Sequence, residues 1–150
     1  MGCTDDYSLH LFFLFSLPGS EVIRKIVNED QDALLSCALD GTNIAKDVFD
    51  WKMDGSSNRE VFYYTKGSHY LNGLPGQDVH FKDRVFHFTE QLAVGNASIV
   101  ITKTQVTDSG NYTFLVIFCS LRTVLLSLLQ TVEFNFRAIN VCRVWLFLQT

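Results

Sequence analysis

The chain has 150 residues, a length that fits one domain of ordinary size because single domains contain about 100 to 200 residues. Its composition is 47% hydrophobic and 19% charged, which excludes an intrinsically disordered chain, since disorder requires few apolar side chains and a large net charge. The net charge of −4 provides no cationic surface for phosphate groups, so we expect no nucleic-acid partner.

An apolar run at residues 9–17 is followed by small residues at 19–20. A run of this length is too short to span a bilayer, and small residues after it are typical of a cleaved secretory signal. We therefore predict a signal-peptide-like segment at residues 1–19, which would place the chain on the extracellular side of the plasma membrane or in the medium. Acidic residues at 5–6 stand where export signals usually carry Lys or Arg, so a buried N-terminal segment stays open as the alternative.

The stretch from residue 21 to residue 112 alternates between short apolar segments and turn clusters, a pattern that predicts many short strands. Alternation places Phe49, Trp51 and Met53 on one face of such a strand, with charged neighbours on the other. No helical pattern of ordinary length interrupts the series, so the predicted fold is an all-β sandwich. Its candidate strands are residues 22–27, 33–39, 48–53, 60–65, 84–89 and 97–102.

Five residues occur in the order that an immunoglobulin variable-type sandwich requires: Cys37, Trp51, Arg84, Asp108 and Tyr112. In that architecture the Trp fills the core beside the Cys, and the Tyr forms the tyrosine corner. The Asp pairs with the Arg that opens the fourth strand. These five residues are the predicted fold signature.

The similarity extends to several short motifs. The chain resembles the variable-type domain of butyrophilin-like proteins and T-cell co-signalling ligands, especially the fish members, from about residue 19 to residue 113. The resemblance implies an extracellular recognition module that binds receptors of lymphocytes. It is carried by Val48–Lys52, Glu60–Tyr64, His69–Tyr70, Gly76–Asp78, Phe81–Val85 and Gly95–Ile99.

The chain departs from the family two residues after Tyr112, where Phe114 replaces the expected second Cys. By strand alternation Cys119 would face outward, away from Cys37. We therefore predict that Cys37 is a free thiol, and we assign no role to Cys3 or Cys142. The domain is expected to span residues 20–118 and to be incomplete at its last strand.

Residues 119–150 form an atypical hydrophobic tail for which three interpretations stay open. Residues 131–137 alternate in polarity and could supply a substitute last strand. Residues 113–132 could instead span a membrane, at a cost of about 2.5 to 3.5 kcal/mol for Arg122 near the centre. The tail could also be a truncated or read-through end.

Two sequons, at Asn96 and Asn111, are candidate N-glycosylation sites in an exported chain, and Asn96, on a predicted loop, is the better acceptor. Tyr63 is the candidate receptor contact, because alternation turns it outward and Tyr offers a large contact area at low entropic cost. The cysteines and histidines lack metal-ligand spacing, and no nucleophile motif is present. We therefore expect no catalytic residue, metal, cofactor or small-molecule substrate.

Two classes of function remain. The first is a co-signalling ligand that binds a lymphocyte receptor through the face containing the Tyr63 strand and regulates T-cell activation. The second is an adhesion-type ectodomain that self-associates through the same face. A truncated fragment without function is a further alternative.

Overall fold

The computed structural model describes residues 22–55, 57–117 and 142–149. These residues form nine strands: β1 (Val22–Asn28), β2 (Ala33–Leu35), β3 (Val48–Met53), β4 (Arg59–Thr65), β5 (Ser68–His69), β6 (Val85–His87), β7 (Ile99–Ile101), β8 (Gly110–Ile117) and β9 (Arg143–Gln149). Short 3₁₀ helices connect some of them, at Tyr70–Asn72, Val79–Phe81, Thr89–Val94 and Val106–Asp108.

The strands form two sheets. The front sheet has six strands in the order β1-β9-β8-β3-β4-β5, and the back sheet has three in the order β2-β7-β6. Every pair of neighbouring strands is antiparallel except β1 and β9, which run parallel. The predicted all-β immunoglobulin-like sandwich is confirmed.

The core lies between the sheets. It is filled by the inward-facing side chains of each strand, because successive side chains of a strand point to opposite faces. Trp51, Phe62, Phe114 and Tyr112 are fully buried there. The Trp51 indole N–H donates to the Ala97 carbonyl oxygen at 2.9 Å, so the largest core side chain buries no unsatisfied donor.

A disulfide joins the sheets, and it is not at the position that the family pattern indicates. Cys37 is bonded to Cys142, with the Cα atoms 5.8 Å apart. The prediction that Cys37 is a free thiol is therefore wrong, and so is the view that Cys142 has no role. Every cysteine among the described residues is in this bond.

The register of β8 and β9 explains the relocated bridge. The Phe114 N–H donates to the Cys142 carbonyl oxygen at 2.8 Å, so the two residues lie opposite each other on neighbouring strands. Opposed residues point to the same face of a sheet, which turns both side chains toward the core. Phe114 packs on Trp51 with ring centroids 5.3 Å apart, while Cys142 reaches Cys37.

Strand β9 lies within the segment that the sequence analysis sets apart as a hydrophobic tail. It buries Val144, Leu146 and Leu148 and fills the place between β1 and β8 in the front sheet. The expectation that the sandwich is incomplete at its last strand is therefore wrong. The substitute strand at 131–137, the signal-peptide-like segment and residues 118–132 of the membrane-span alternative lie outside the described residues. Within the described ranges, no helix has the length and apolar character needed to cross a membrane.

Candidate binding surface

The outer face of the front sheet is built by the side chains of β3 and β4 that do not enter the core. On β3, Asp50 is paired with Leu115 of β8 and with Tyr63 of β4. Lys52 is paired with Thr113 of β8 and, after a register shift at Trp51/Lys52, with Glu60 of β4. The register thus places charged and aromatic side chains side by side in the middle of a sheet face.

A hydrogen-bonded charge cluster forms at this centre. The Lys52 Nζ lies 2.9 Å from Glu60 Oε1 and 3.3 Å from Asp50 Oδ2. The Tyr70 hydroxyl donates to Glu60 Oε2 at 3.2 Å. Two carboxylates therefore share one ammonium group, and the cluster carries an excess of negative charge when both are ionised.

Asp50 is the unusual member of this charge cluster. Its side chain is only 6% exposed, and its Oδ1 atom is buried without a hydrogen-bond partner among the described residues. Burial raises the pKa of Asp50 to about 7, and the neighbouring Glu60 charge adds to the rise, while Lys52 opposes it. Burial would lower the pKa of Lys52, but Asp50 and Glu60 together raise it, so the ammonium stays charged.

These pKa shifts predict a titration within the physiological pH range. We expect the Asp50 carboxyl carbon, followed by NMR, to titrate with a midpoint near 7 rather than near 3.8. Because the folded-state pKa is raised, protonated Asp50 favours the folded state, and this contribution is lost as pH rises from about 4 through 7. Replacing Glu60 by Gln should lower the midpoint without restoring 3.8, since burial remains. A midpoint near 4 in the parent chain would contradict the burial of Asp50.

Tyr63 faces outward, as the sequence predicts. Its neighbours Phe62 and Tyr64 are buried, whereas Tyr63 is half-buried and its ring lies 6.3 Å from that of Tyr70. The two tyrosines flank the charge cluster, so amphipathic rings border the buried carboxylate.

The fold signature is assembled as predicted. The Arg84 guanidinium donates to both carboxylate oxygens of Asp108, at 2.9 and 3.0 Å, in the expected bidentate pair. The Tyr112 hydroxyl donates to the Asp108 carbonyl oxygen at 2.6 Å, which forms the tyrosine corner. Trp51 is fully buried, and its indole N–H donates to the Ala97 carbonyl oxygen. The Ala97 N–H donates in turn to the Cys37 carbonyl oxygen, which links Trp51 to Cys37.

Comparison with known families agrees with this geometry. The immunoglobulin V-set domain model matches residues 24–124, about two thirds of the chain. The chain belongs to the immunoglobulin V-set family. This membership confirms the resemblance that the sequence motifs carry.

Known relatives of this V-set domain include proteins of immune signalling. Human V-set domain-containing T-cell activation inhibitor 1 is 31% identical over 86 residues, which are 57% of this chain and 29% of that protein. The chain thus spans less than a third of the length of this curated relative.

Solved structures show the same fold. The human B7-H4 IgV-like domain superposes with a TM-score of 0.62 at 22% identity, covering 85% of this chain and 94% of that one. A chain of the complex of ICOS with ICOS-L and an anti-ICOS-L VNAR domain superposes with a TM-score of 0.63 at 19% identity, covering 85% of this chain and 56% of that one. Bovine butyrophilin superposes with a TM-score of 0.56 at 16% identity, covering 87% of this chain and 51% of that one. V-set relatives of this kind are receptor and ligand domains found outside the cell or at its surface.

The two sequons of this V-set domain occupy different surroundings. The side-chain amide of Asn96 donates to Gln91, and the Asn96 Oδ1 accepts the Ser98 N–H at 3.0 Å. Ser98 is itself buried, and its hydroxyl oxygen accepts the Cys37 N–H. Asn111 is exposed on the outer face of β8. In the folded domain Asn111 is therefore the more accessible of the two.

The histidines have structural surroundings. His69 and His87 lie with ring centroids 4.6 Å apart in a cluster with Phe62 and Tyr64. Burial lowers the pKa of both, to about 4 for His87, where the nearby His69 adds to the effect. His80 Nε2 lies 2.5 Å from Asp108 Oδ1 and supports the Arg84 pair. No group of three potential metal ligands occurs in the described part of the chain.

The β1–β9 end of the outer face was not expected from the sequence. Val22 and Ile26 of β1 are 44% and 65% exposed there, and Trp145 and Phe147 of β9 are 36% and 43% exposed. The last two rings stack with centroids 5.7 Å apart. We name these four residues the β1–β9 patch. The signal for it was the period-2 pattern of residues 143–149, whose outward members include two aromatic residues.

Proposed function

We propose that the chain is the recognition ectodomain of a cell-surface or secreted co-signalling ligand, which binds a protein receptor on lymphocytes and regulates T-cell activation. Membership of the V-set family supports a recognition role. The similarity to a human T-cell activation inhibitor supports the immune context. Under this proposal the domain binds protein and catalyses no reaction.

The observation that carries the proposal is the charge cluster on the outer face. Its buried Asp50 oxygen without a partner and its excess carboxylate are costly to maintain in the free domain, because a buried carboxylate is desolvated. A basic side chain of a partner would offset the excess negative charge by pairing with Glu60, whose side chain is 32% exposed. The flanking rings of Tyr63 and Tyr70 would cover the aliphatic part of that side chain.

Variants of the outer face test this proposal. Fluorescent tetramers of the purified chain are titrated on resting and activated T cells. We expect Tyr63→Ala and Glu60→Lys each to weaken cell binding at least about tenfold, because the first removes contact area and the second places a like charge against the basic partner. Both variants should unfold within a few degrees of the parent.

Phe86→Ala is the matched control. Phe86 is an aromatic residue, 43% exposed, on β6 of the back sheet, so its loss should leave cell binding unchanged. If Phe86→Ala weakens cell binding while Tyr63→Ala and Glu60→Lys do not, the contact lies on the back sheet and the proposal is refuted.

Self-association is the second candidate function, and the exposed β1–β9 patch is the observation that favours it. Exposed apolar side chains that lie together on one face of a soluble domain commonly mark an interface. Arg24, which is exposed and paired with Trp145, lies among them. Sedimentation of the purified chain at micromolar concentration separates the two functions. A dimer that Ile26→Lys abolishes, without loss of T-cell binding, would assign the patch to self-association alone.

A further inference from the structure

We infer that Asn111 carries an N-linked glycan whose first N-acetylglucosamine packs on Trp145 and Phe147. The inference concerns what covers the exposed rings of the β1–β9 patch. It requires export of the chain but not the proposed receptor, so it can fail while the proposed function stands.

The register of β8 and β9 brings the acceptor and the rings together. Asn111 is directly opposite Trp145 in the antiparallel pair. Phe114 and Cys142 form a hydrogen-bonded pair in the same ladder, and such pairs alternate with non-hydrogen-bonded ones. Asn111 and Trp145, three residues further along, are therefore a non-hydrogen-bonded pair, in which the opposed side chains are closest.

The sequon is also presented in the required direction. Asn111 and Thr113 lie on the outer face of β8, while Tyr112 between them is fully buried in the core. A glycan on Asn111 would leave the sheet on the side where Trp145 is 36% and Phe147 is 43% exposed. The rings stack with an angle of 20° between their planes and form a continuous aromatic surface.

The chemistry of the sugar suits this surface. One face of a pyranose ring presents C–H groups, which pack on an aromatic ring, while the hydroxyl groups at its rim remain in water. A glycan is also bulky and solubilising, so it would shield apolar area that is otherwise costly to expose. A glycan that packs over β9 extends away from β3 and β4, which lie on the other side of β8 and carry the charge cluster and Tyr63. The same glycan would oppose self-association through the β1–β9 patch.

The experiment begins with site occupancy. The full chain is expressed behind a standard secretion leader in cells that make only high-mannose glycans, and glycopeptides are mapped in both lysate and medium. We expect sugar on Asn111. A chain without sugar at Asn111 in both fractions would overturn the inference.

The second step measures whether the first sugar covers Trp145. Endoglycosidase H leaves one N-acetylglucosamine, and peptide N-glycosidase F removes all sugar. Acrylamide quenching of tryptophan fluorescence reports Trp145, because Trp51 is fully buried. We expect the quenching constant to rise about twofold only when the last sugar is removed, and the Asn111→Gln variant to match the sugar-free form.

Asn96→Gln serves as the control, since Asn96 lies in a bridge to Ala38 and its sugar would not reach Trp145. This variant should show the parent's quenching before and after each enzyme. Equal quenching of the one-sugar and sugar-free forms of the parent would mean that the glycan does not pack on the rings, and the inference would be wrong.

Discussion

Replacing Cys142 by Ala is expected to lower the free energy of unfolding by about 2 to 5 kcal/mol, a large part of the total stability of a single domain. The bond to Cys37 closes a loop with a sequence separation of 105 residues, and long loops gain most in the chain-entropy description of a disulfide. The bond also fixes the start of β9, whose inward side chains complete the core. Urea unfolding under oxidising conditions measures the loss.

Two controls separate the bond from the packing of its atoms. Parent chain treated with reductant should unfold at nearly the same urea concentration as Cys142→Ala, because both lack only the cross-link. The double variant Cys37→Ala/Cys142→Ala should lose little more than either single variant, since one bond is removed in each case. Non-reducing peptide mapping that joined Cys37 to Cys119 would contradict the assignment.

The error about Cys37 has a definite physical origin. Strand alternation correctly turns position 114 toward the core, but it describes one strand and carries no information about which strand will lie beside it. Cys142 becomes the partner only because β9 pairs with β8 in a register that sets residue 142 opposite Phe114. The pairing of β8 with β9 joins segments that are far apart in the sequence, so the alternation of a single strand does not predict it.

Strand β9 was missed for a related reason. Its inward residues Val144, Leu146 and Leu148 have the expected period, but Trp145 and Phe147 between them are apolar as well. The contrast between inward and outward positions that marks a half-buried strand is therefore weak. The strands with clear alternation, such as β3 with Asp50 and Lys52 between Phe49 and Met53, were predicted with nearly their observed bounds.

The binding surface was predictable only in part. Alternation alone turns Tyr63 outward, which the structure confirms. The charge cluster depends on the irregularity that pairs Lys52 with Glu60, and a bulge adds one residue to a strand without a pattern that the sequence analysis could detect. The burial of Asp50 likewise follows from its neighbours on two other strands.

Replacing Asp108 by Ala is expected to cost about 3 to 5 kcal/mol, the range for removing one partner of a buried ion pair. The Asp108 side chain is fully buried, and Arg84 is 15% exposed, so water does little to compensate the guanidinium. The Gln105 N–H, which donates to Asp108 Oδ2 at 2.8 Å, would lose its acceptor as well. Asp54→Ala, at an exposed position, should change stability by no more than about 0.5 kcal/mol. Equal losses for the two variants would show that the pair contributes little.

The same pair predicts how stability changes in acid. Burial alone would raise the pKa of Asp108, but the hydrogen bonds from Arg84 and Gln105 and the Arg84 charge outweigh it and hold that pKa below its usual value. A lowered folded-state pKa means that the contribution is complete above the unfolded value of about 3.9 and is lost as pH falls below it. The difference in unfolding free energy between the parent and Asp108→Ala should therefore shrink as pH falls below about 4. A difference that stays constant down to pH 2 would mean that the ionised carboxylate is not what the Arg84 guanidinium stabilises.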